Sequence, residues 1–340
     1  MTLGRIILVL TLGISLMQAL WAEETDQFTL TPTELFDIGP STSARLYETL
    51  ESVVAQTNAQ IRLYEPKAAH SRFAKKKLAK LRKDTYIANL FYTRTGPGHP
   101  RWMRDMNYPA HTLPERFKES RPWKTIYWLV FSQSPLFIIG LAPTINMYNH
   151  YFGMDKLGHF FMQGHTYYTL YNFWIDHGKS AEQAHAAIVL YGQILEQTYL
   201  GTMINGVYSN GDLAANYSGW KFYMNLGHSI KIGDKTLPPL LILNGNKWEI
   251  AKHVDKYNFL KTYLTDNLNE AWNPSRYSFM RGQIRRHVKE RCPEWISRNG
   301  LTREMAEAKL QESKSWHGES YGHWLPKSNV VSLNACFGGD

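Results

Sequence analysis

Three ionisable side chains stand at the start of an apolar, aromatic-rich stretch of this sequence. The segment GMDKLGHFF, residues 153–161, contains Asp155, Lys156 and His159. Burying an unpaired charge costs several kcal/mol, so such groups stay in water, pair with one another or form a site. Residues four apart share a face of a helix, which would place Asp155 and His159 on one stripe.

Two later segments carry polar groups at helical spacing. Glu196 is the only charged residue between positions 187 and 207, and Asp212, Asn216 and Gly219 recur on one face of the next segment. Gly219 would allow another backbone to come close. Helices joined by short loops pack as neighbours, so the sequence predicts a pocket where His159, Glu196 and Asp212 converge.

These residue types match the chemistry of a hydrolytic metal site. The candidate ligands of a divalent cation are Asp155, His159, Glu196 and Asp212, with one coordination position open to water. A metal-free alternative uses Glu196 and His159 as acid and base, because burial raises the pKa of a carboxylic acid. A third interpretation is a structural network that fixes the register of the helices.

Roles within this pocket follow from the same residues. The candidate catalytic groups are His159, Glu196 and Asp212, whereas His165 falls on another face of its helix and is expected to be peripheral. The candidate ligand-binding residues are Asp155, Lys156, Ser209, Asn216 and Gly219. The sequence contains no His-Glu-x-x-His, Gly-x-Ser-x-Gly, Walker or dinucleotide motif.

The elements that would hold the pocket are mainly α-helical. With 340 residues, of which 44% are hydrophobic, the chain can bury a sizeable core. We predict a helical bundle with a small β-hairpin addition, the hairpin or a three-stranded unit lying in residues 229–250, where Gly-Asp and Asn-Gly separate apolar runs. The predicted helices span residues 43–61, 72–83, 155–176, 181–207, 210–226, 257–271, 276–291 and 302–313.

Less regular segments connect these helices. Residues 93–123 are rich in Pro, Gly, His and Arg and predict an irregular connection. The apolar run 126–147 is interrupted by Pro135 and Pro143, which favours a buried or interfacial segment over a membrane span. In the polar segment 266–277, Asn269, Glu270 and Asn273 either cap a helix end or border the pocket.

The N-terminus is typical of an export signal. Arg5 precedes the apolar residues 6–20, and Ala22 is followed by two glutamates. We therefore expect an exported protein in the periplasm or envelope; the alternative is an uncleaved N-terminal anchor. Cys292 and Cys336 are expected to form a disulfide there, the alternative being two unrelated thiols.

Four regions follow from these patterns. We predict a signal peptide in residues 1–22, a helical and irregular region with a basic helix in 23–124, a central helical bundle in 125–228, and the hairpin with a helical C-terminal part in 229–340. The basic helix, residues 72–83, has Phe73, Leu78 and Leu81 among seven cations. It is suited to an anionic membrane surface or is a solvated face, and an exported chain is not expected to bind nucleic acid.

The central motifs resemble a known family. DKLGHF at residues 155–160, GQILEQ at 192–197 and YSNGDLAANYSGW at 208–220 resemble the VanZ-like proteins and the related YfiM-type predicted periplasmic lipoproteins. The resemblance covers about residues 150–226 and implies a place in the cell envelope more than a reaction. This chain lacks the lipoprotein cysteine and the several clean membrane spans of those relatives.

Two classes of function are compatible with these patterns. As a non-catalytic envelope protein, the chain would bind an envelope lipid or cell-wall component with the polar pocket, the basic helix and the segment 126–147. As an enzyme, it would be a metal-dependent hydrolase of an envelope lipid or phosphate ester. The sequence does not decide between catalysis and binding.

Overall fold

Helices form most of the regular structure of this computed structural model, which describes residues 23–95, 114–119, 121–127, 140–198, 201–202, 206–278, 281–324 and 330–339. The fold is mainly α, as the sequence predicts. The α-helices are α1 (Gly39–Tyr64), α2 (Arg72–Leu81), α3 (Asp84–Thr95), α4 (Asp155–Gly158), α5 (Gly164–Asp176), α6 (Ala181–Gln197), α7 (Asn210–Asn225), α8 (Arg281–Asn299) and α9 (Arg303–Ser313).

The first helices follow from local sequence signals. Pro40 lies in the first turn of α1, where its fixed φ suits a helix and its missing N–H is no loss. Ser71 caps α2, since its side chain accepts a hydrogen bond from the Ala74 N–H at 3.2 Å. Helix α1 is longer at both ends than the predicted span 43–61, and α2 covers most of the predicted basic helix.

The predicted helix 155–176 forms, with one irregularity. A π-helical segment, His159–Gln163, joins α4 to α5. Helix α6 begins at a capping box in which Ser180 and Gln183 exchange hydrogen bonds. It ends at Gln197, so the prediction that it continues to Val207 is wrong; strand β6 (Val207–Ser209) occupies the end of that span.

Helix α7 is surrounded by the rest of the protein. Ser209 caps it by accepting a hydrogen bond from the Asp212 N–H, and all but one of its residues are buried. It packs against α5 and the π segment at a glycine crossing. A Cβ on Gly219 would overlap the Phe160 carbonyl oxygen, and Gly164 meets Gly219 from the other side. The close backbone approach predicted for Gly219 is therefore present.

Short sheets connect the helices. The remaining strands are β1 (Glu23–Glu24), β2 (Arg116–Phe117), β3 (Gly140–Leu141), β4 (Thr144–Met147), β5 (His150–Gly153), β7 (Ile230–Ile232), β8 (Lys235–Leu237), β9 (Leu241–Asn244), β10 (Lys247–Ile250), β11 (Ser275–Tyr277) and β12 (Val330–Val331). β1 pairs with β3 in parallel, whereas β2–β4–β5 and β12–β11–β6 are antiparallel. The register of β11 places Ser275 opposite Ser209, which brings residues 266–274 to the start of α7.

The hairpin prediction for residues 229–250 is confirmed, with two hairpins instead of one unit. β7 pairs with β8 and β9 pairs with β10. Gly233 and Gly245 turn the chain with φ of +57° and +59°, a conformation that favours glycine.

The helix predictions at 257–271 and 276–291 need correction. The described chain has only short 3₁₀ turns at Lys261–Tyr263 and Asp266–Leu268, followed by strand β11, and α8 begins at Arg281. Asparagine side chains explain the loss of helix, because they bond to main-chain groups and compete with helical hydrogen bonding. Asn269 donates to the Tyr151 carbonyl and Asn273 donates to the Asn267 carbonyl. The last predicted helix is present as α9, capped by Thr302.

Two apolar clusters form the core. The larger gathers buried residues from α1, α3, α5, α7 and the hairpins, and the smaller is built around α8, α9 and Phe28. Cys292 of α8 and Cys336 form the predicted disulfide beside the smaller cluster. The larger cluster takes residues from three of the predicted regions, and the division into domains stays a prediction.

Some predictions fall on residues outside the described ranges. These are the signal segment 1–22, residues 96–113 and 120 of the irregular connection, and residues 128–139 of the apolar run. Residues 199–200 and 203–205 of the predicted helix 181–207 and residues 279–280 of the predicted helix 276–291 also lie outside them. The described parts of that run are buried at Ile126 and Tyr127 and again along β4. Within the described part of the chain, no helix has both the length and the apolar character that a membrane span requires.

Candidate functional site

Lys156 is the centre of the polar cluster. Its side chain is completely buried, and Nζ lies 2.5 Å from a carboxylate oxygen of each of Asp155, Asp212 and Glu270. Burial by itself would lower the pKa of Lys156, but these three carboxylates raise it well above its usual range. Lys156 is therefore a permanently charged ammonium inside the protein.

His159, Glu196 and Asp212 come together beside this lysine. One nitrogen of His159 and one carboxylate oxygen each of Glu196 and Asp212 lie within 4.8 Å of one another. His159 Nε2 is 3.2 Å from Asp212 Oδ2, and its Nδ1 is 3.0 Å from Asn216 Oδ1. Donation from Nδ1–H to Asn216 would leave the Nε2 lone pair directed at the carboxylates.

Glu196 lies in the last turn of α6, and two later residues approach its carboxylate. The Ser209 N–H donates to Oε2 at 3.3 Å, and a Cβ on Gly201 would lie 2.6 Å from the same oxygen. Burial, reinforced by the negative charge of Asp212, raises the pKa of Glu196 well above its usual range. For Asp212, burial would raise the pKa, but the neighbouring His159 and Lys156 lower it below its usual range.

A second carboxylate group adjoins the first on the other side of Lys156. Carboxylate oxygens of Glu24, Asp155 and Glu270 lie within 4.8 Å of one another. Thr25 donates to Asp155 at 2.6 Å, and the Tyr127 hydroxyl lies 2.7 Å from Glu270. Ser209 Oγ also donates to Glu270 at 2.7 Å, so this residue links both groups to the start of α7.

Negative charge is in excess in this cluster. Five buried carboxylates, those of Glu24, Asp155, Glu196, Asp212 and Glu270, surround one ammonium and one imidazole. Burial first, and neighbouring carboxylates next, raise the pKa of Glu24. Burial also raises the pKa of Glu270. Several carboxylates of one sign cannot all ionise in a low-dielectric interior, so the cluster must bind protons or a cation.

Two phenols close the cluster on the side of Glu196. Tyr167 and Tyr208 are fully buried, and neither hydroxyl has a hydrogen-bond partner of good geometry among the described residues. Burial raises the pKa of both, and the charge of Glu196 adds to the effect. Both phenols are therefore neutral proton donors near Glu196.

Most members of this site were predicted from the sequence. Lys156, His159, Glu196, Asp212 and Asn216 meet as predicted, and Ser209 is the cap that joins them to Glu270. The placement of Asp155 differs from the expected ligand set. Its carboxylate lies with Glu24 and Glu270, because Thr25 and Lys156 hold it there.

His165 lies elsewhere, as predicted. It stacks on Tyr92 with ring centroids 4.0 Å apart, and its Nε2 is 2.8 Å from Asn89 Oδ1. Burial lowers the pKa of His165 to about 4, so it is neutral at physiological pH.

Two members of the cluster were not identified as site residues from the sequence. Glu24 follows the predicted signal segment, and no helical or strand periodicity points to it. The sequence left two roles open for Glu270, a helix cap or a residue at the border of the pocket. In the structure, its carboxylate lies 2.5 Å from Lys156 Nζ. The surplus of acidic and amide residues in segment 266–277 was the only signal for it.

The chain shows no significant similarity to known proteins in three comparisons. No family model, no curated protein and no solved structure matches it.

Proposed function

We propose that this chain is an exported cell-envelope protein that binds a divalent cation through His159, Glu196 and Asp212 and hydrolyses an envelope lipid or phosphate ester. The observation that carries the proposal is the meeting of these three ligand atoms within 4.8 Å, on side chains from the π segment, α6 and α7. Imidazole nitrogen and carboxylate oxygen are both zinc ligands, and catalytic zinc sites combine three protein ligands with one open position.

Charge supports a cation at this position. The surplus of buried carboxylates makes the cluster unfavourable when all of them are ionised, and a divalent ion would neutralise two negative charges. Such an ion supplies Lewis acidity that activates water and polarises an ester or phosphoryl oxygen. Asn216 holds the His159 ring, as partners beyond the ligands do in metal sites.

The surrounding groups define how a substrate would approach. His159 is the ligand with the most exposed side chain, at 19%, so the substrate would reach the site from its side. The buried hydroxyls of Tyr167 and Tyr208 would add neutral hydrogen-bond donors on the side of Glu196. Lys156 stays bound to its carboxylates and stabilises the negative charge of Asp212.

The cellular location is part of the proposal. The predicted export signal in residues 1–22 and the Cys292–Cys336 disulfide support an oxidising compartment outside the cytoplasm. The resemblance to VanZ-like and YfiM-type proteins supports the envelope and the arrangement of α5, α6 and α7 as one helical bundle. We take the N-terminal segment to be cleaved.

Metal analysis of the purified mature protein tests the site. We expect about one equivalent of a divalent ion, lost in Glu196→Gln and Asp212→Asn because each removes a ligand charge. Affinity should fall with falling pH, since protons compete for Glu196, whose pKa is raised. Hydrolysis of p-nitrophenyl phosphate esters should stop with a chelator and return with added metal.

His165→Ala is the matched control, because this histidine lies on Tyr92 and Asn89, away from the cluster. It should keep both the metal and the activity. A wild-type protein that binds no divalent ion after metal loading, or a Glu196→Gln variant that keeps it, would overturn the metal site. Bound metal without hydrolysis of phosphate or carboxylate esters would overturn the enzymatic part.

A second candidate function is attachment to an anionic lipid surface through α2. Leu78 and Leu81 face the protein core, so the apolar side predicted for membrane contact is already covered, whereas Phe73 is 69% exposed among outward lysines. One aromatic residue with several cations gives weak, salt-sensitive binding.

Flotation with anionic and neutral vesicles tests this attachment. Binding to anionic vesicles should weaken as salt rises, since screening shortens the reach of surface charge. Replacing Lys75, Lys76, Lys77 and Lys80 by glutamate should abolish binding to the anionic vesicles. Equal flotation with neutral vesicles, or an unchanged quadruple variant, would exclude the role of α2.

A further inference from the structure

A polar groove lies beside the charged cluster and adjoins it where Gln27 accepts a hydrogen bond from the Glu270 N–H. Its volume is about 590 Å³, and it runs between the extended segment 27–34, the loop 266–272, and helices α8 and α9. This volume falls within the range of about 300–1,000 Å³ that is typical of small-molecule sites. None of its lining residues belongs to the two carboxylate groups around Lys156.

Uncharged hydrogen-bonding side chains dominate the wall. Four are threonine hydroxyls, four are amides and one is a phenol; they belong to Thr29, Thr31, Thr33, Thr144, Gln27, Asn149, Asn269, Asn299 and Tyr151. Hydroxyls and amides each donate and accept hydrogen bonds. Thr29 and Asn269 already use these groups within the protein, in bonds with Asp26, Arg291, Tyr151 and Ala271. The other hydroxyls and amides of the wall would suit a ligand that carries groups of both kinds.

The charged residues of the wall balance one another. Lys309 Nζ lies 2.5 Å from Asp266, and Arg298 is held by Glu294 and by the Thr31 carbonyl. Glu34 is the other acidic residue of the wall. Since both cations already have partners, an anionic ligand would find no free countercharge, and a neutral ligand fits better.

Gln27 gives an independent sign of a missing partner. Its side-chain oxygen accepts a hydrogen bond from the Glu270 N–H at 2.5 Å, yet its buried Nε2 has no partner among the described residues. Gln27 is only 4% exposed. Leaving a buried donor unsatisfied costs about 1–3 kcal/mol, so the part of the wall beside Glu270 contains a donor that the described residues do not satisfy.

Two tryptophans add an aromatic surface. The rings of Trp272 and Trp295 lie edge to face with centroids 5.3 Å apart. Trp295 is buried and held by its indole N–H, which donates to the Phe28 carbonyl at 2.8 Å. Trp272 is only partly buried and packs against Trp295. The ring of Trp272 is therefore held in place by Trp295 while part of it remains exposed in the groove wall.

We propose that this groove binds a neutral oligosaccharide. Sugar hydroxyls both donate and accept hydrogen bonds, which suits the threonines and amides of the wall. The C–H faces of sugar rings pack on aromatic rings, which suits Trp272. This inference concerns residues separate from the metal site and does not rest on the proposed hydrolysis.

Titration calorimetry with the full mature chain tests the proposal. The probes are the tetrasaccharides of N-acetylglucosamine, β-linked glucose and α-linked glucose, with a sulfated heparin tetrasaccharide as the anionic comparison. At least one neutral probe should bind with one-to-one stoichiometry at millimolar concentration or below, and the sulfated probe should not. No binding of any neutral probe, or binding of the sulfated probe alone, would overturn it.

Matched tryptophan substitutions localise the binding. Thr33 lies exposed in the groove wall, so Thr33→Trp should fill the groove and weaken binding about tenfold or more without disturbing the core. Thr93 is exposed on α3, outside the groove, and Thr93→Trp should bind like the wild type. Trp272→Phe should weaken binding less than Thr33→Trp. Unchanged binding by Thr33→Trp would place the sugar elsewhere and refute the groove.

Discussion

Lys156 shows how single residues make the candidate site. A fully buried ammonium is tolerated because Asp155, Asp212 and Glu270 each approach it to 2.5 Å. Two of these partners, Asp155 and Asp212, lie in helices that the sequence predicts, and the third, Glu270, lies in a loop. The lysine therefore ties the start of α4, the start of α7 and the segment after the second 3₁₀ turn into one unit.

We expect Lys156→Met to lower the free energy of unfolding by about 3–5 kcal/mol, because it leaves buried carboxylates without their cation. The loss should be smaller at pH 5 than at pH 8. Glu24, Glu196 and Glu270 have raised pKa values, so they take up protons as pH falls and relieve the repulsion. Over this range Lys156 itself stays charged, since its pKa is raised.

Urea unfolding of both proteins at the two pH values, with a chelator present, measures this difference. Lys247→Met is the control, because Lys247 is 65% exposed and pairs with Glu249 on a surface hairpin. It should cost less than about 1 kcal/mol at either pH. A Lys156→Met protein as stable as the wild type at pH 8 would show that the cluster is already neutralised by protons.

At the scale of elements, the crossing of α7 with α5 and the π segment positions the site. His159 begins the π segment, and the Phe160 carbonyl meets Gly219 one turn of α7 beyond Asn216. This contact sets the depth at which the His159 ring faces Asp212 and Asn216. The fixed distance between the helices depends on glycine having no side chain.

Gly219→Ala should therefore lower stability by about 1–3 kcal/mol, since the added methyl group would overlap the Phe160 carbonyl oxygen and force the helices apart. Gly282→Ala provides the matched control. Gly282 is also helical, in α8, but a Cβ there meets open space, so the change should be neutral or stabilise by up to about 1 kcal/mol.

Thermal unfolding of the two variants measures both effects, and metal content reports the site. Gly219→Ala should also weaken metal binding, because moving Asp212 away from His159 separates two ligands. Equal stability of the two variants would mean that the helices tolerate a wider spacing.

Local patterns predicted these helices better than the segments between them. The stripe from Asp155 to His159 and the face of Asp212 and Asn216 follow from helical spacing, and both predicted helices form. The end of α6 was missed, because the apolar residues after Gln197 continue a helical composition although the α-helix ends there. The Glu196 carboxylate accepts a hydrogen bond from the Ser209 N–H, thirteen positions later, and helical periodicity does not predict such a contact.

The same reason explains Glu270 and the groove. Residues 257–271 have a composition compatible with a helix, yet their asparagines bond to carbonyls of β5 and of the chain after α9. These partners lie more than forty positions away in sequence. A single sequence shows that the polar residues exist, but the fold decides which of them meet.

At the scale of the whole molecule, the two candidate sites use the two apolar clusters to different extents. Phe160, Leu213 and Tyr208 of the larger apolar cluster are chain neighbours of His159, Asp212 and Ser209, and Tyr127 of the smaller cluster reaches Glu270. Trp295, with Trp272 packed against it, belongs to the smaller cluster, which also contains Val288 of α8. The Cys292–Cys336 disulfide joins α8 to the C-terminal 3₁₀ turn on that side. A change at the disulfide should therefore affect the groove before the charged site.

Replacing both cysteines by serine should lower the free energy of unfolding by about 4 kcal/mol, the chain-entropy value for closing 44 residues. Because α8 supplies Trp295 and Asn299 to the groove, oligosaccharide binding should weaken in the variant. Metal content should stay unchanged, since His159, Glu196 and Asp212 lie on elements that the disulfide does not connect.

Urea unfolding, calorimetry and metal analysis of the double variant measure the three effects, and reduced wild-type protein is the control that should match it. Loss of metal together with sugar binding would show that the two clusters unfold as one unit.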